Sequence, residues 1–405
     1  MKRVTPKTAS AGSRTAPTAQ AAHRRLRIGL MLRAIDEVDG SGVYARQLCD
    51  ALFALDTTNE YVLFYMRPDQ AGRYGHLPHV RERVVPSRRK LLWDQVLVPL
   101  AARRESLDVL FHYKLTIPLL APCPTVVQQR GVEQWLFPEF YDRVNRFYMT
   151  RCIPLYCRRA TRVLTNSDSL AEELRTVAGI ARDDVQTVYA APGAGFEPVI
   201  DTRELARVRD CYGLPSEAFL LVIAKGYARL GEHGRRLYPR KNIAGTLDAY
   251  ARVRASVCDC PPLVIMGAGL TERLHPDLLP RELAESVVVP GLIAHEDMPA
   301  VYSMARALVF PSLYESFGIP IVEAMACGCP TITSDRGACR EVAADAALLV
   351  DPTSVDSIAD AIIRIVENPT LACELRERGL ARARDFSWTR SAQQLLDVLT
   401  EVARG

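Results

Sequence analysis

The chain has 405 residues, 48% apolar and 24% charged, with a formal net charge of +4; that is the composition of a globular protein long enough for two domains, not of a fibrous or disordered one. Seven Lys/Arg and no acid fall in residues 1–27, which leaves 44 cations against 47 acids in the remainder, so the body is not a nucleic-acid binder by charge. No apolar run reaches the roughly 18 residues of a transmembrane helix, and the first residues lack the apolar core of about seven that a secretory signal needs.

Residues 1–25, rich in Ala, Thr, Ser, Lys and Arg, read as a disordered basic tail. The eleven cysteines are scattered and lack paired C-x-x-C spacing, which suits free thiols in a reducing cytoplasm. Leu26–Leu32 reads as a first strand, followed by a loop at Gly40-Ser41-Gly42 and a helix from about Val43 to Leu55. A strand, a glycine loop and a helix open a Rossmann-like half. Tyr61–Tyr65, Asp108–Phe111 and Thr125–Val127 continue it as strands. Residues 88–104, RRKLLWDQVLVPLAARR, form a basic amphipathic helix on which Leu91, Leu92, Val96 and Leu100 can share a face. That face suits either a core contact with solvated ends or an anionic membrane surface. Residues 143–162 repeat the theme, with Arg143, Arg146, Arg151, Arg158, Arg159 and Arg162 among aromatics.

Arg162–Ser167 is a further strand, with Ser167 or Asp168 as the cap of a helix after it. Val185–Ala190 ends the first half, and residues 192–202 read as a hinge containing Pro and Gly. The second half opens with the strand Phe219–Ala224 and continues with Pro262–Met266 and Ser286–Val289, the last leading to Gly291. A helix at 295–306 precedes Ala307–Phe310, a compact run suited to a buried strand. Residues 311–318 are a loop. Pro320 fits the first position of the next helix, Gly328 the position past its end, and Pro330 forbids continuation. Glu315 then lies in the loop and Glu323 in the first helical turn. Gly318 removes the side chain where a ligand meets the backbone, and the free N–H groups at the helix start suit an anion. Carboxylates for hydroxyls beside backbone donors for a phosphate fit a sugar nucleotide. A strand at 331–333, a helix at 354–367 and an amphipathic helix near 388–402 complete the chain.

ESFGIPIVEAMACGCP, with the strand after it and the downstream GACREVAADAALLVDP, resembles the E-x7-E segment of the family 4 glycosyltransferases, and the resemblance covers about residues 26–400. It implies an α/β chain of the GT-B fold, two Rossmann-like doubly wound domains facing a cleft. Residues 26–195 would bind the acceptor, residues 196–386 the nucleotide sugar, and residues 387–405 would form a helix crossing back to the first domain. The implied activity is retaining transfer of a mannose- or glucose-type hexose from GDP- or UDP-hexose to a glycan, lipid-linked or small-molecule acceptor. No cofactor or metal is implied, and Asp335 is only a lone acid where an Asp-x-Asp pair would be sought. The scattered thiols suit a cytoplasmic location, and the basic helices, if they are not simply core helices with solvated ends, would allow peripheral contact with the inner face of the membrane.

The resemblance also distributes roles. Glu315 would orient the sugar hydroxyls, with the backbone of Ser316, Phe317 and Gly318, and Glu323 would accept from the ribose. Arg236 and Lys241, which follow the inserted KGYARLGEHG and keep the family's spacing of five, would stabilise the departing diphosphate; Arg229 or Lys225 are alternative registers for the arginine. Gly42 would approach the donor phosphates, and the backbone at Leu292 and Ile293 the base. Arg130 stands where the family usually has a histidine near the transferred sugar; with Glu133 it is a sugar or acceptor contact, and His112 is a further polar candidate. The arginine motivates an alternative, a non-catalytic nucleotide-sugar-binding scaffold. A sugar-nucleotide epimerase on a similar fold is a third reading.

Overall fold

The computed structural model describes residues 24–37, 40–224, 228–229, 235–236, 239–267, 279 and 281–405. Most of the basic tail and most of the insertion before Arg236 lie outside them. Seven strands form the first sheet: β1 (Arg27–Met31), β2 (Glu60–Tyr65), β3 (Val80–Val84), β4 (Val109–His112), β5 (Thr125–Gln128), β6 (Arg162–Thr165) and β7 (Val185–Thr187). They run parallel in the order β3-β2-β1-β4-β5-β6-β7. After β8 (Phe219–Ile223) comes a two-stranded antiparallel ribbon of β9 (Ala228–Arg229) and β10 (Arg235–Arg236). The second sheet is completed by β11 (Leu263–Met266), β12 (Val287–Gly291), β13 (Ala305–Phe310), β14 (Thr331–Ser334) and β15 (Leu348–Val350). Its order is β12-β11-β8-β13-β14-β15, again parallel.

Strands such as β8 and β11 are runs of Phe, Leu, Val, Ile and Met with almost every residue buried, as a parallel sheet covered on both faces demands. The edge strand β3, VRERV, buries only its first residue, and its charges hide it from a search for apolar runs. Each sheet reverses its strand order once, between β1 and β4 and between β8 and β13. Outside the carboxyl ends of the strands at such a reversal, an open α/β sheet leaves a crevice for ligands.

The halves are bound together. The last helix, Trp388–Arg404, buries Trp388, Leu395, Val398 and Val402 on one stripe. It packs on the helix Gly40–Leu55, with Trp388 edge-on to Tyr44 at 5.2 Å, and Ser391 Oγ donates to the Tyr189 carbonyl at 2.7 Å. Some boundaries differ from the sequence reading. The first long helix starts at Gly40, inside the glycine loop. Segment 90–104 is helical throughout but carries a π turn at Trp93–Leu97. The helix before β13 ends at Met304, and the strand begins at Ala305.

Candidate active site

Both reversals deliver charged residues to the space between the sheets. β13 ends at Phe310, and the loop after it carries Glu315 into a buried position. Lys241 arrives from the connection after β8, just before the helix Ile243–Ser256. Its Nζ donates to Glu315 Oε1 at 2.7 Å, with side-chain exposures of 10% and 8%, and stands 4.2 Å from the centre of the Phe310 ring. Burial alone would push the Glu315 carboxyl up; the Lys241 ammonium and the Arg240 guanidinium outweigh it and hold the carboxyl below the usual range. The site is thus built around a charged pair fixed against an aromatic face.

The helix after the loop, Ile319–Ala326, starts from Gly318 at φ +95°. A Cβ there would lie 2.8 Å from Ile321 Cδ1, so glycine serves both the backbone angle and the close approach. The helix ends with Gly328 N donating to the Met325 carbonyl at 3.0 Å and Cys329 N to that of Ala324 at 2.8 Å, the paired bonds of a Schellman stop. Glu323 is the fifth helical residue, in the second turn and not the first. The helix begins at Ile319, so Pro320 is its second residue. Glu323 is buried and accepts from the Tyr302 hydroxyl at 3.1 Å. Burial pushes its carboxyl up to about 8.

The first sheet supplies the opposite wall. Gly40 opens the helix after β1, and a Cβ on it would stand 3.9 Å from Ile319 Cδ1: two helix starts meet across the cleft. Gly42 lies inside the first turn, where a Cβ would fall 1.8 Å from the Glu37 carbonyl oxygen; there is no room for a side chain. The guanidinium of Arg130, which follows β5, sits 4.2 Å from the centre of the Tyr44 ring and donates to the Gly40 carbonyl at 3.4 Å. Glu133 pairs with Arg240 of the other half, and Leu313 N donates to the Arg240 carbonyl at 2.8 Å. Glu133 is therefore engaged by a protein cation.

The loop bearing Glu315 is gripped on both sides of that residue by the first half. The Tyr314 hydroxyl accepts from Val132 N at 2.9 Å. Ser167 Oγ donates to the Ser316 carbonyl at 2.8 Å, and Asn166 Nδ2 to Ser316 Oγ at 3.2 Å. Ser167 is also the cap of the helix Asp168–Thr176, accepting from Leu170 N at 3.1 Å. The Glu341 carboxylate takes the next free N–H groups of that helix, Asp168 N at 2.9 Å and Ser169 N at 2.7 Å, where an anion is favoured.

Comparison with known proteins agrees with this geometry. The family model described as Glycosyl transferases group 1 matches residues 234–385, and that described as Glycosyltransferase Family 4 matches residues 38–191. The chain belongs to the family 4 glycosyltransferases. It is 30% identical over 262 residues to the O-antigen chain mannosyltransferase B of Escherichia coli, a stretch of 64% of this chain and 66% of that protein. It is likewise 30% identical over 269 residues to the serotype-specific mannosyltransferase WbdA of Escherichia coli, covering 64% of this chain and 31% of that one. Among solved structures, Anabaena HepE in complex with UDP and glucose superposes with a TM-score of 0.69 at 19% identity, over 93% of this chain and all of that one.

The remaining candidate residues of this glycosyltransferase fall into two groups. Leu292 is exposed and Ile293 buried just after Gly291. Phe317 is buried in a cluster with Tyr189 and Phe386, so its ring belongs to the core. Arg236 is placed only by its backbone in β10; its side chain lies outside the described residues. His112 is fully buried at the end of β4 with Nδ1 on the Thr116 carbonyl at 2.6 Å; burial first, then Arg33 and Lys114, hold its imidazole well below the usual range. It is a neutral core residue. Among the described residues no group of three or more His, Cys, Asp or Glu is placed to hold a metal ion. The sequence reading missed Tyr302, Asn166, Tyr314 and Glu341. Their signal is tertiary, since each meets its partner across at least 21 positions of chain. Ser167 was legible as a cap, and its second partner was not.

Proposed function

We propose that the chain is a retaining hexosyltransferase that takes a mannose- or glucose-type hexose from a GDP- or UDP-sugar. Residues 26–195 would form its acceptor half, residues 196–386 its donor half, and residues 387–405 the helix that returns across the first. The buried Lys241–Glu315 pair, held where the second sheet reverses and opposite the helix start at Gly40, carries this reading. Glu315, kept ionised by Lys241, accepts hydrogen bonds from the sugar hydroxyls, with the backbone of Ser316, Phe317 and Gly318 beside it. Lys241, with Arg236, meets the negative charge that grows on the diphosphate as its bond to the sugar breaks. Glu323 accepts from the ribose, the Leu292–Ile293 backbone meets the base, and the backbone of the Gly42 turn approaches the phosphates. In front-face displacement the acceptor oxygen bonds to the anomeric carbon as the diphosphate leaves, and the acceptor proton passes to the departing phosphate oxygen. The donor domain's match to the group 1 family, and the mannosyltransferases and UDP-bound neighbour among the similar proteins, support a nucleotide-sugar donor and a glycan acceptor. No metal enters the mechanism.

The acceptor in this reading is a growing or lipid-linked glycan met at the cytoplasmic face of a membrane. Arg130, stacked on Tyr44, favours a second reading, a binder that holds donor without transferring it. A thermal-shift screen of UDP, GDP, ADP and their hexose conjugates tests both. A ligand at about 100 times its Kd stabilises the native state by roughly 2.7 kcal/mol. A shift with one nucleotide, followed by transfer that Glu315→Ala abolishes, upholds the transferase. A shift with neither transfer nor donor hydrolysis upholds the binder, and no shift with any nucleotide overturns both.

A further inference from the structure

The helical segment 90–104 has two faces with different fates. Trp93, Asp94, Val98 and Ala102 are buried against the first half. Leu91, Leu92, Val96 and Leu100 point outward and are between 44% and 54% exposed. Three of them, Leu92, Val96 and Leu100, follow at intervals of four, so they form a stripe along the helix. Folding does not require that stripe, because the inner face already packs. Beside it Leu120 is 84% exposed, in the loop tied to this helix by Leu119 N donating to Gln95 Oε1 at 3.0 Å. The helix Arg143–Arg159 adjoins the same region, with Gln95 Nε2 reaching the Tyr156 hydroxyl at 3.5 Å. It too exposes apolar residues near its start, Val144 and Phe147. A stripe of exposed apolar residues, with further ones on the neighbouring loop and helix, marks an interaction site.

Charge selects the occupant. Arg88, Arg89 and Lys90 at one end of the stripe and Arg103 and Arg104 at the other are exposed. The only acid between residues 86 and 104 is Asp94, which is buried against Arg33 and Thr116. The second helix contributes exposed Arg143, Arg146 and Arg151 and contains no acid. A second copy docked on this face by twofold symmetry would set arginines against arginines. An anionic bilayer instead accepts leucines into its acyl boundary and arginines among its headgroups.

From this surface we infer that segment 90–104, aided by Leu120 and the start of the helix Arg143–Arg159, is a docking face for anionic phospholipid bilayers. The inference deepens the membrane part of the reading above and rests on it only for the acceptor. Asp94, on the inner side of the docking helix, holds Arg33 at the carboxyl end of β1 and the Thr116 hydroxyl near the end of β4. The face is thereby fixed to the reversal point of the first sheet, and a lipid-anchored acceptor would present its sugar at the rim of the cleft.

Flotation of the purified chain tests this on vesicles of phosphatidylcholine alone and of phosphatidylcholine with phosphatidylglycerol. Binding is expected only to the anionic vesicles and should weaken as salt rises. With each basic side chain worth about a factor of five, Arg103→Gln/Arg104→Gln should cut partitioning about thirtyfold. Leu92→Ser/Leu100→Ser should also lower it while melting temperature and nucleotide thermal shift stay at wild-type values. Those two controls separate loss of the face from loss of the donor site. Equal binding to both vesicle types, no binding by the wild type, or unchanged binding by both double variants would overturn the inference. So would a wild-type dimer in lipid-free solution that Leu92→Ser/Leu100→Ser converts to monomer, since the stripe would then be a subunit contact.

Discussion

The two halves repeat one topology and differ in which charges they leave mobile: both bury one ion pair at the reversal, but only the first adds half-exposed charges beside it. Where the second sheet reverses, Lys241 and Glu315 are paired, buried and backed by Phe310. Where the first sheet reverses, a buried pair, Arg33–Asp94, anchors segment 90–104, while Arg130 lies half-exposed on Tyr44 and Lys114 pairs with a half-exposed Glu37. A buried pair is fixed in place, because removing either member strands the other charge in a low-dielectric interior. A rim charge is cheap to move. In the proposed transferase, fixed geometry would suit the diphosphate that every nucleotide sugar carries, and adjustable geometry would suit the acceptor.

The comparison breaks most readily at its rigid end. Lys241→Ala and Glu315→Gln are each expected to lower kcat by about 10²–10³-fold, the cost of removing charge stabilisation in a dry site. Single-turnover kinetics at saturating donor would show this. Arg130→Ala should change the acceptor KM by less than about tenfold; an equal loss of kcat in that variant would erase the contrast between the halves.

The next effect is on stability and depends on pH. The Glu323 carboxyl is raised from 4.5 to about 8 by burial. Its contribution to folding is therefore fully present below about pH 4.5 and is lost as pH rises towards 8. Glu323→Gln, which cannot ionise, should be more stable than wild type by about 3 kcal/mol at pH 7 and equal to it near pH 4, as an order of magnitude. Denaturant melts at the two pH values would measure this, and nucleotide binding should weaken in the same variant. Stability that does not change with pH would mean that Glu323 stays paired when ionised.

A smaller effect should come from the grip between the halves. Ser167→Ala removes one neutral hydrogen bond to the Ser316 carbonyl and one helix cap, each worth about 1 kcal/mol. A loss of about five- to tenfold in kcat is expected, with recovery in Ser167→Thr. A variant that loses melting temperature but keeps kcat would show that the serine serves only its own helix.

The strands of both sheets were legible because buried parallel strands are uninterrupted apolar runs, as in Phe219–Ile223. The loop and helix after β13 were legible because Gly318, Pro320, Gly328 and Pro330 punctuate them. β3 escaped because an edge strand tolerates charge at most positions. Glu323 was placed in the first turn because Pro320 read as the first helical residue, whereas the helix begins at Ile319; its burial against Tyr302 is a tertiary contact that no local pattern shows. Glu133 read as a ligand contact, yet its partner Arg240 lies 107 positions away. No local pattern announces a bond across that distance. Leu91, Leu92, Val96 and Leu100 were correctly grouped on one face, but periodicity cannot say whether such a face points inward or outward.

Glu315 sits between two residues that the other half holds, Tyr314 through Val132 and Ser316 through Ser167. Drawing the halves apart breaks both bonds together, and the carboxylate then loses its support from both neighbours. In the proposed transferase, sugar activation would therefore be conditional on assembly, as opening a two-key lock is. Water entering a cleft whose halves have drawn apart would meet a carboxylate that has lost both its supports.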